Sequence, residues 1–166
     1  MRRTGRGGNM VLEMALWMPV LLLLIAGMIQ IGKITYLYYS LQKVVYSAAR
    51  SLASQQNVNF CDLTNDTVSQ AVFAAAVNDP TTGVPLINNL TPDLLQVTTA
   101  CVDATGASVP CDTSGCTTPL AAGQTPSYIT VSVPAGYQVQ PRIPYILLDP
   151  ILLYPSATVA FSGSSL

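Results

Sequence analysis

The sequence has no histidine and a single glutamate among its 166 residues, and charged residues make up only 9% of it. Without histidine, the commonest general base and the usual catalytic triads are absent. The chain also lacks a glycine-rich phosphate-binding loop and a metal-ligand motif. Its seven aspartates stand mostly at turn-like positions, where local hydrogen bonding explains them. These absences argue against an enzyme, and we expect neither a cofactor nor a metal.

Positive charge is scarce and unevenly placed. Three of the seven basic residues lie in the first six positions, and the formal net charge is -1. Without that basic start the chain keeps four basic residues against eight acidic ones, so we expect no nucleic acid partner. By the positive-inside rule, the basic start holds the N-terminus in the cytoplasm.

An apolar run without any charge follows, from Met14 to Ile29. Extended to Ile34, it reaches the roughly 20 residues that a helix needs to cross a hydrocarbon layer of about 30 Å. The run predicts one transmembrane segment at about residues 14–34, surrounded by membrane lipid. A secretory signal peptide is the competing interpretation, but it requires small residues at a cleavage site soon after the apolar core. Here a helical pattern continues instead.

The helical pattern extends well beyond the apolar run. Apolar residues recur at helical spacing at Leu37, Leu41, Val44 or Val45, Ala48 and Leu52. We therefore predict one helix from about Asn9 to Ser54, close to 70 Å long at about 1.5 Å per residue. Pro19 should kink or loosen it. Tyrosines 36, 38 and 39 fall where an outer aromatic belt is expected.

Glu13 is the sole glutamate of the chain. It lies between the apolar residues 10–12 and the uncharged run that starts at Met14. A carboxylate in lipid costs on the order of a few kcal/mol, so an acid at this place is a functional hypothesis by default. The alternative is structural: one turn inside a helix start, a carboxylate interacts favourably with the positive end of the helix dipole and can reach the lipid headgroups.

The N-terminal residues resemble those of type IV pilin precursors. A basic leader ends in Gly8, Glu13 follows five places later, and the pattern continues as Glu-x-Ala-Leu-x-x-Pro followed by leucines. More narrowly, residues 1–54 resemble the TadE family of pseudopilins, which serve the tight-adherence (Tad) pilus. The resemblance implies that a prepilin peptidase cuts between Gly8 and Asn9. It also implies that Glu13 then neutralises the N-terminal amine of a neighbouring subunit.

This resemblance implies three regions: a cytoplasmic leader (1–8), a long helix (9–54) and a periplasmic head (55–166). It further implies a protein of the bacterial inner membrane that, once processed, joins a surface pilus with other pilin-like subunits and the Tad assembly machinery. The alternative is an unprocessed single-pass anchor that presents a binding or adhesin head.

The pattern of residues 55–166 predicts that the head is a small α+β unit. A short helix is expected from about Thr64–Thr67 to Asn78, with Val68, Ala71, Val72 and Ala75 on one face. Three alternating segments, 95–102, 128–133 and 156–161, predict strands of an antiparallel sheet packed on the long helix. The apolar segment 143–155 is expected to cover the sheet or to form a subunit contact.

The four cysteines all follow the transmembrane segment. An even number in an oxidising compartment favours two disulfides. Sequence alone leaves three connectivities open. One of them closes a local loop between Cys111 and Cys116 and leaves Cys61 to pair with Cys101. The spacing lacks the Cys-x-x-Cys repeats of a structural zinc site.

Overall fold

The computed structural model of the chain describes residues 6–55, 58–63, 66–111, 125–143, 146–147 and 149–162. Its helices are α1 (Arg6–Ser54) and α2 (Thr67–Val77), with a short 3-10 turn at Pro92–Leu94. Its strands are β1 (Gln96–Val102), β2 (Ser108–Pro110), β3 (Tyr128–Ser132), β4 (Tyr137–Val139), β5 (Arg142–Ile143), β6 (Ile146–Leu147), β7 (Ile151–Leu153) and β8 (Ser156–Ala160). The predicted α+β class is confirmed.

Helix α1 is continuous over 49 residues and passes through Pro19 without a break. At about 1.5 Å per residue it is about 74 Å long. It ends at Ser54 as predicted but begins at Arg6, three residues before the predicted start at Asn9. The earlier start has a simple reason: once a helix has formed, extending it by a residue costs little, even for glycine at about 1 kcal/mol.

Internal contacts divide the chain into two units. The first contains α1 up to Leu37, together with residues from Val139 to Ile151. The second contains Tyr38–Gln138 and Leu152–Leu166, so it includes the last part of α1. We call the described residues of this second unit the head unit. It holds α2 and the four-stranded sheet.

The sheet of the head unit has the strand order β2-β1-β3-β8, and its pairs are antiparallel. The three predicted strands are confirmed within one residue at each end. Thr99 pairs with Ile129, which pairs with Val159 on the other side. Strand β2 was not predicted, because its three residues are all exposed and one is proline, so no alternation marks it.

The core of the head unit lies between this sheet and the last part of α1. Ile129 and Val131 are fully buried on the inner face of the sheet. The predicted apolar face of the helix is buried at Leu41, Val44, Val45, Ala48 and Leu52, while Leu37 is half-buried. Ala49 and Ala53, which were not predicted, are buried as well. Two hydrogen bonds join the layers: Gln42 Nε2 donates to the Ser156 carbonyl at 2.7 Å, and the Ser162 amide donates to the Ala53 carbonyl at 3.1 Å.

Helix α2 is confirmed, and Asp66 caps its N-terminus by accepting a hydrogen bond from the Ser69 amide at 2.7 Å. Of the four residues predicted to share its apolar face, Val72 is buried and Val68 is half-buried, so this face is not the buried one as a whole. The buried residues are Ser69, Val72, Phe73 and Val77, whereas Ala71 and Ala75 are exposed. Burial of Phe73 explains the rotation, because an aromatic side chain gains more from leaving water than alanine does.

The apolar segment 143–155 contains short strands that were not predicted. Strand β5 pairs with β6, and β7 pairs with β4; residues 144, 145 and 148 lie outside the described residues. Their two- or three-residue lengths are too short for an alternation pattern. The predicted role of this segment in covering the sheet stays a prediction.

Two aspartates organise turns of the head unit. Asp103 Oδ1 accepts hydrogen bonds from Thr105 Oγ1, the Thr105 amide and the Ala107 amide at 2.6 to 2.9 Å. The bond from the Thr105 hydroxyl is the main reason why the pKa of Asp103 lies below its ordinary value. The pKa of Asp79 is lowered as well, chiefly by the hydrogen bond from the Thr81 amide. Both turns therefore favour the ionised carboxylate.

Candidate functional site

The proposed cleavage site, between Gly8 and Asn9, has helical backbone. A peptidase that cuts a peptide bond has to reach its backbone groups, which in a helix are engaged with the adjacent turns. Gly7 and Gly8 are adjacent, and each glycine lowers helix stability by about 1 kcal/mol relative to alanine. Unwinding at this junction therefore costs less than unwinding at the four consecutive leucines, residues 21–24.

Glu13 lies on α1 with its side chain exposed. Helical neighbours that could pair with it stand three or four residues away, and these positions hold Asn9, Met10, Leu16 and Trp17. None of these side chains is basic. Among the described residues, Glu13 has no ion-pair or hydrogen-bond partner. Its own helix turn thus supplies no counter-ion.

The surroundings of Glu13 on α1 are apolar and uncovered. Every residue from Met10 to Ile25 is exposed, and the large side chains in this stretch are 45% to 73% exposed. The helix contains a window of mean hydropathy 2.2, none of it buried, and is long and apolar enough to cross a membrane. Exposing so much apolar surface to water is unfavourable in free energy. The single N-terminal apolar helix is consistent with a single-pass membrane protein.

The tyrosines of the expected aromatic belt are exposed on α1. The exposed fraction is 75% for Tyr36, 42% for Tyr38 and 69% for Tyr39. The rings of Tyr38 and Tyr39 meet edge to face, with centroids 6.2 Å apart. This exposure fits a position at a membrane interface, where one end of the ring is apolar and the other is wet.

The cysteines pair differently from the connectivity considered above. Cys101 is bonded to Cys111, ten residues further along the chain. A loop between Cys111 and Cys116 is therefore wrong, and so is the pairing of Cys61 with Cys101. The observed bond joins β1 to the residue just after β2, because the antiparallel β1–β2 hairpin pairs Ala100 with Pro110 and so brings Cys111 next to β1. Cys61 is also disulfide-bonded, and Cys116 lies outside the described residues.

Gln42 is a structural residue that the sequence pattern did not reveal. Its amide nitrogen holds the start of β8, while its Oε1 is buried without a hydrogen-bond partner. A polar residue next to buried Leu41 was the only available hint. Among the described residues, no group of three or more potential metal ligands occurs.

Comparison with protein families places the N-terminal segment beside a described family. The model of the family described as TadE-like protein matches residues 8–50 of the chain. This range starts at the proposed leader glycine and includes Glu13 and most of α1. The match confirms the resemblance noted above for the N-terminal segment. No curated protein and no solved structure matches the chain.

Proposed function

We propose that this chain is a membrane-anchored pseudopilin of a Tad-type pilus. The observation that carries the proposal is Glu13, an exposed carboxylate on an uncovered apolar helix, within the segment that matches the TadE-like family. The proposed role is structural rather than catalytic, as is typical of a family of pilus-associated proteins. The proposed regions are a leader (1–8), a long helix with a membrane span at about 14–34, and a periplasmic head (55–166).

In the proposed pathway, a prepilin peptidase at the cytoplasmic face cuts after Gly8. The new amine of Asn9 is mostly cationic at neutral pH, since an unperturbed amino terminus has a pKa of about 7.7 to 8. Glu13 of one subunit then pairs with the Asn9 amine of a neighbouring pilin-like subunit. This pairing offsets the free energy of removing both charges from water. Either charge buried without a partner would be strongly unfavourable.

The first test is the mass of the protein extracted from its native inner membrane. We expect a polypeptide that begins at Asn9. A protein that works normally while keeping residues 1–8 would contradict the proposal and would favour the alternative, an unprocessed anchor presenting a binding head.

The second test replaces the carboxylate. Glu13→Ala and Glu13→Gln should leave membrane insertion intact, because both remove a charge from an apolar helix. Incorporation into the pilus should fall at least about tenfold, since the buried amine of the neighbour then has no partner. Glu13→Asp, which keeps the charge on a shorter side chain, is the matched control and should retain part of the incorporation. Carbonate extraction measures insertion, and immunoblotting of sheared pili measures incorporation. Normal incorporation of Glu13→Gln would refute the pairing.

A further inference from the structure

The last part of α1 carries an exposed stripe of alternating aromatic and cationic side chains, which we call the helix stripe: Tyr39, Lys43, Tyr46 and Arg50. The spacing of four, three and four residues places them on one face of the helix. All four are exposed, with Tyr39 at 69% and Tyr46 at 49%. The buried residues Leu41, Val44, Val45, Ala48 and Leu52 occupy the opposite side. The head unit therefore leaves this face uncovered.

The two cations of the helix stripe are unpaired within the described part of the chain. Neither Lys43 nor Arg50 forms an ion pair or a hydrogen bond there. Tyrosine and arginine are among the residue types enriched at protein interfaces, where a rigid ring supplies contact area and a guanidinium binds carboxylates. The stripe is thus chemically suited to a partner that carries carboxylates.

The outer part of the long helix and the head carry charges of opposite sign. Residues 33–54 contain three basic residues and no acidic one, whereas residues 55–166 contain seven aspartates and one basic residue, Arg142. Two copies that met stripe to stripe in register would place Lys43 against Lys43 and Arg50 against Arg50, which is repulsive. A stripe that meets the head of another copy brings opposite charges together.

Lipid headgroups do not account for the whole stripe. Arg50 lies sixteen residues beyond Ile34, the end of the proposed span. Along a continuous helix this is about 24 Å. The headgroup region extends only about 5 to 7 Å beyond the hydrocarbon on each side. A membrane surface could reach the first tyrosine of the stripe but not its far end.

We propose that the helix stripe is a docking surface for the acidic head of a second copy of this chain. The inference rests on the proposed membrane anchoring, and it does not depend on leader cleavage or on pilus incorporation. The contact is electrostatic and aromatic, so it should weaken with salt. It would orient neighbouring subunits through their parts outside the membrane.

The test uses the full-length, uncut chain in phosphatidylcholine vesicles, with the photo-crosslinking residue p-benzoylphenylalanine in place of Tyr46. In the uncut chain the Asn9 amine does not exist, so a Glu13 pairing cannot produce the result. We expect a crosslinked dimer whose partner peptides map to residues 55–166. Its yield should fall in 0.5 M salt.

Charge variants provide the control. The double variant Lys43→Gln with Arg50→Gln should reduce the crosslink yield about three- to tenfold, the range that two exposed ion pairs can supply. The double variant Lys43→Arg with Arg50→Lys keeps both charges and should stay close to the unmodified yield. All four positions are exposed, so these variants should fold; amide protection of Ile129 checks this.

Three outcomes would overturn the proposal. They are a crosslink to lipid alone, a dimer crosslink that maps to the helix rather than the head, and a yield that is the same in the glutamine variant. Failure of this test would leave the Glu13 and cleavage experiments unaffected, since those measure processing and incorporation.

Discussion

The two ends of α1 differ both in composition and in what covers them. From Met10 to Ile25 every side chain is exposed, including leucines that are 54% to 73% exposed. Between Leu41 and Ala53 the same helix buries one face completely and exposes the other. The first half is apolar all round, which is typical of a segment surrounded by lipid or by other subunits. The second is amphipathic and belongs to a folded head.

The comparison teaches that apolar content alone does not say where a helix is buried. The period of the apolar residues does say this, because apolar residues that recur at helical spacing form one face, and that face packs against the rest of the fold. In the first half no such period exists, and no described residue of the chain covers it. Stability in that half must come from its surroundings, whereas stability in the second half comes from the chain's own packing.

The largest expected effect comes from truncating one leucine in each half. Leu52 is fully buried, so Leu52→Ala should lower the free energy of unfolding of the head unit by about 2 to 5 kcal/mol. Leu22 is 62% exposed, so Leu22→Ala should change it by less than about 0.5 kcal/mol. Amide hydrogen exchange of the sheet in detergent micelles measures both. Equal losses would break the distinction between the two halves.

A smaller effect is expected at the cap of α2. Asp66→Ala removes the acceptor of the Ser69 amide and hydroxyl and should destabilise the head unit by about 1 kcal/mol. Asp66→Asn, which keeps an acceptor oxygen, is the control and should recover most of the loss. Denaturant titration of the head unit measures the difference, and the helicity of residues 10–25 should not change. An alanine variant as stable as the unmodified chain would show that the cap contributes nothing.

The smallest effect concerns acid. Because the pKa of Asp103 is lowered in the folded state, its turn contributes stability that is present above the unfolded value of 3.8. That contribution is lost as the pH falls below this value and through the folded pKa. Carboxyl NMR titration should show Asp103 ionising below pH 3.8, with the β1–β2 hairpin loosening in the same range. Asp103→Asn should remove this pH dependence of the hairpin; a hairpin equally acid-sensitive in that variant would rule out Asp103 as the cause.

Sequence patterns were sufficient where a residue's environment repeats regularly. The helical face at Leu41, Ala48 and Leu52 and the three alternating strands were predicted within a residue or two. The resemblance at Gly8 and Glu13 was equally local and agrees with the family match. Patterns failed where the decision depended on a distant neighbour. On α2, Phe73 is buried and Ala71 is exposed. Cys101 is bonded to Cys111 because β2 folds back along β1.

By itself, the sequence determined that an uncharged run long enough to cross a membrane follows a basic start, that one carboxylate stands at its beginning, and that an amphipathic helix continues beyond it. These properties depend on residue order alone, since hydropathy and helical period need no folded partner. The tertiary structure decided which side of the outer helix is covered, how the cysteines pair and that the helix stripe stays uncovered. Each of these follows from packing, because burial and bonding depend on which segments meet in space.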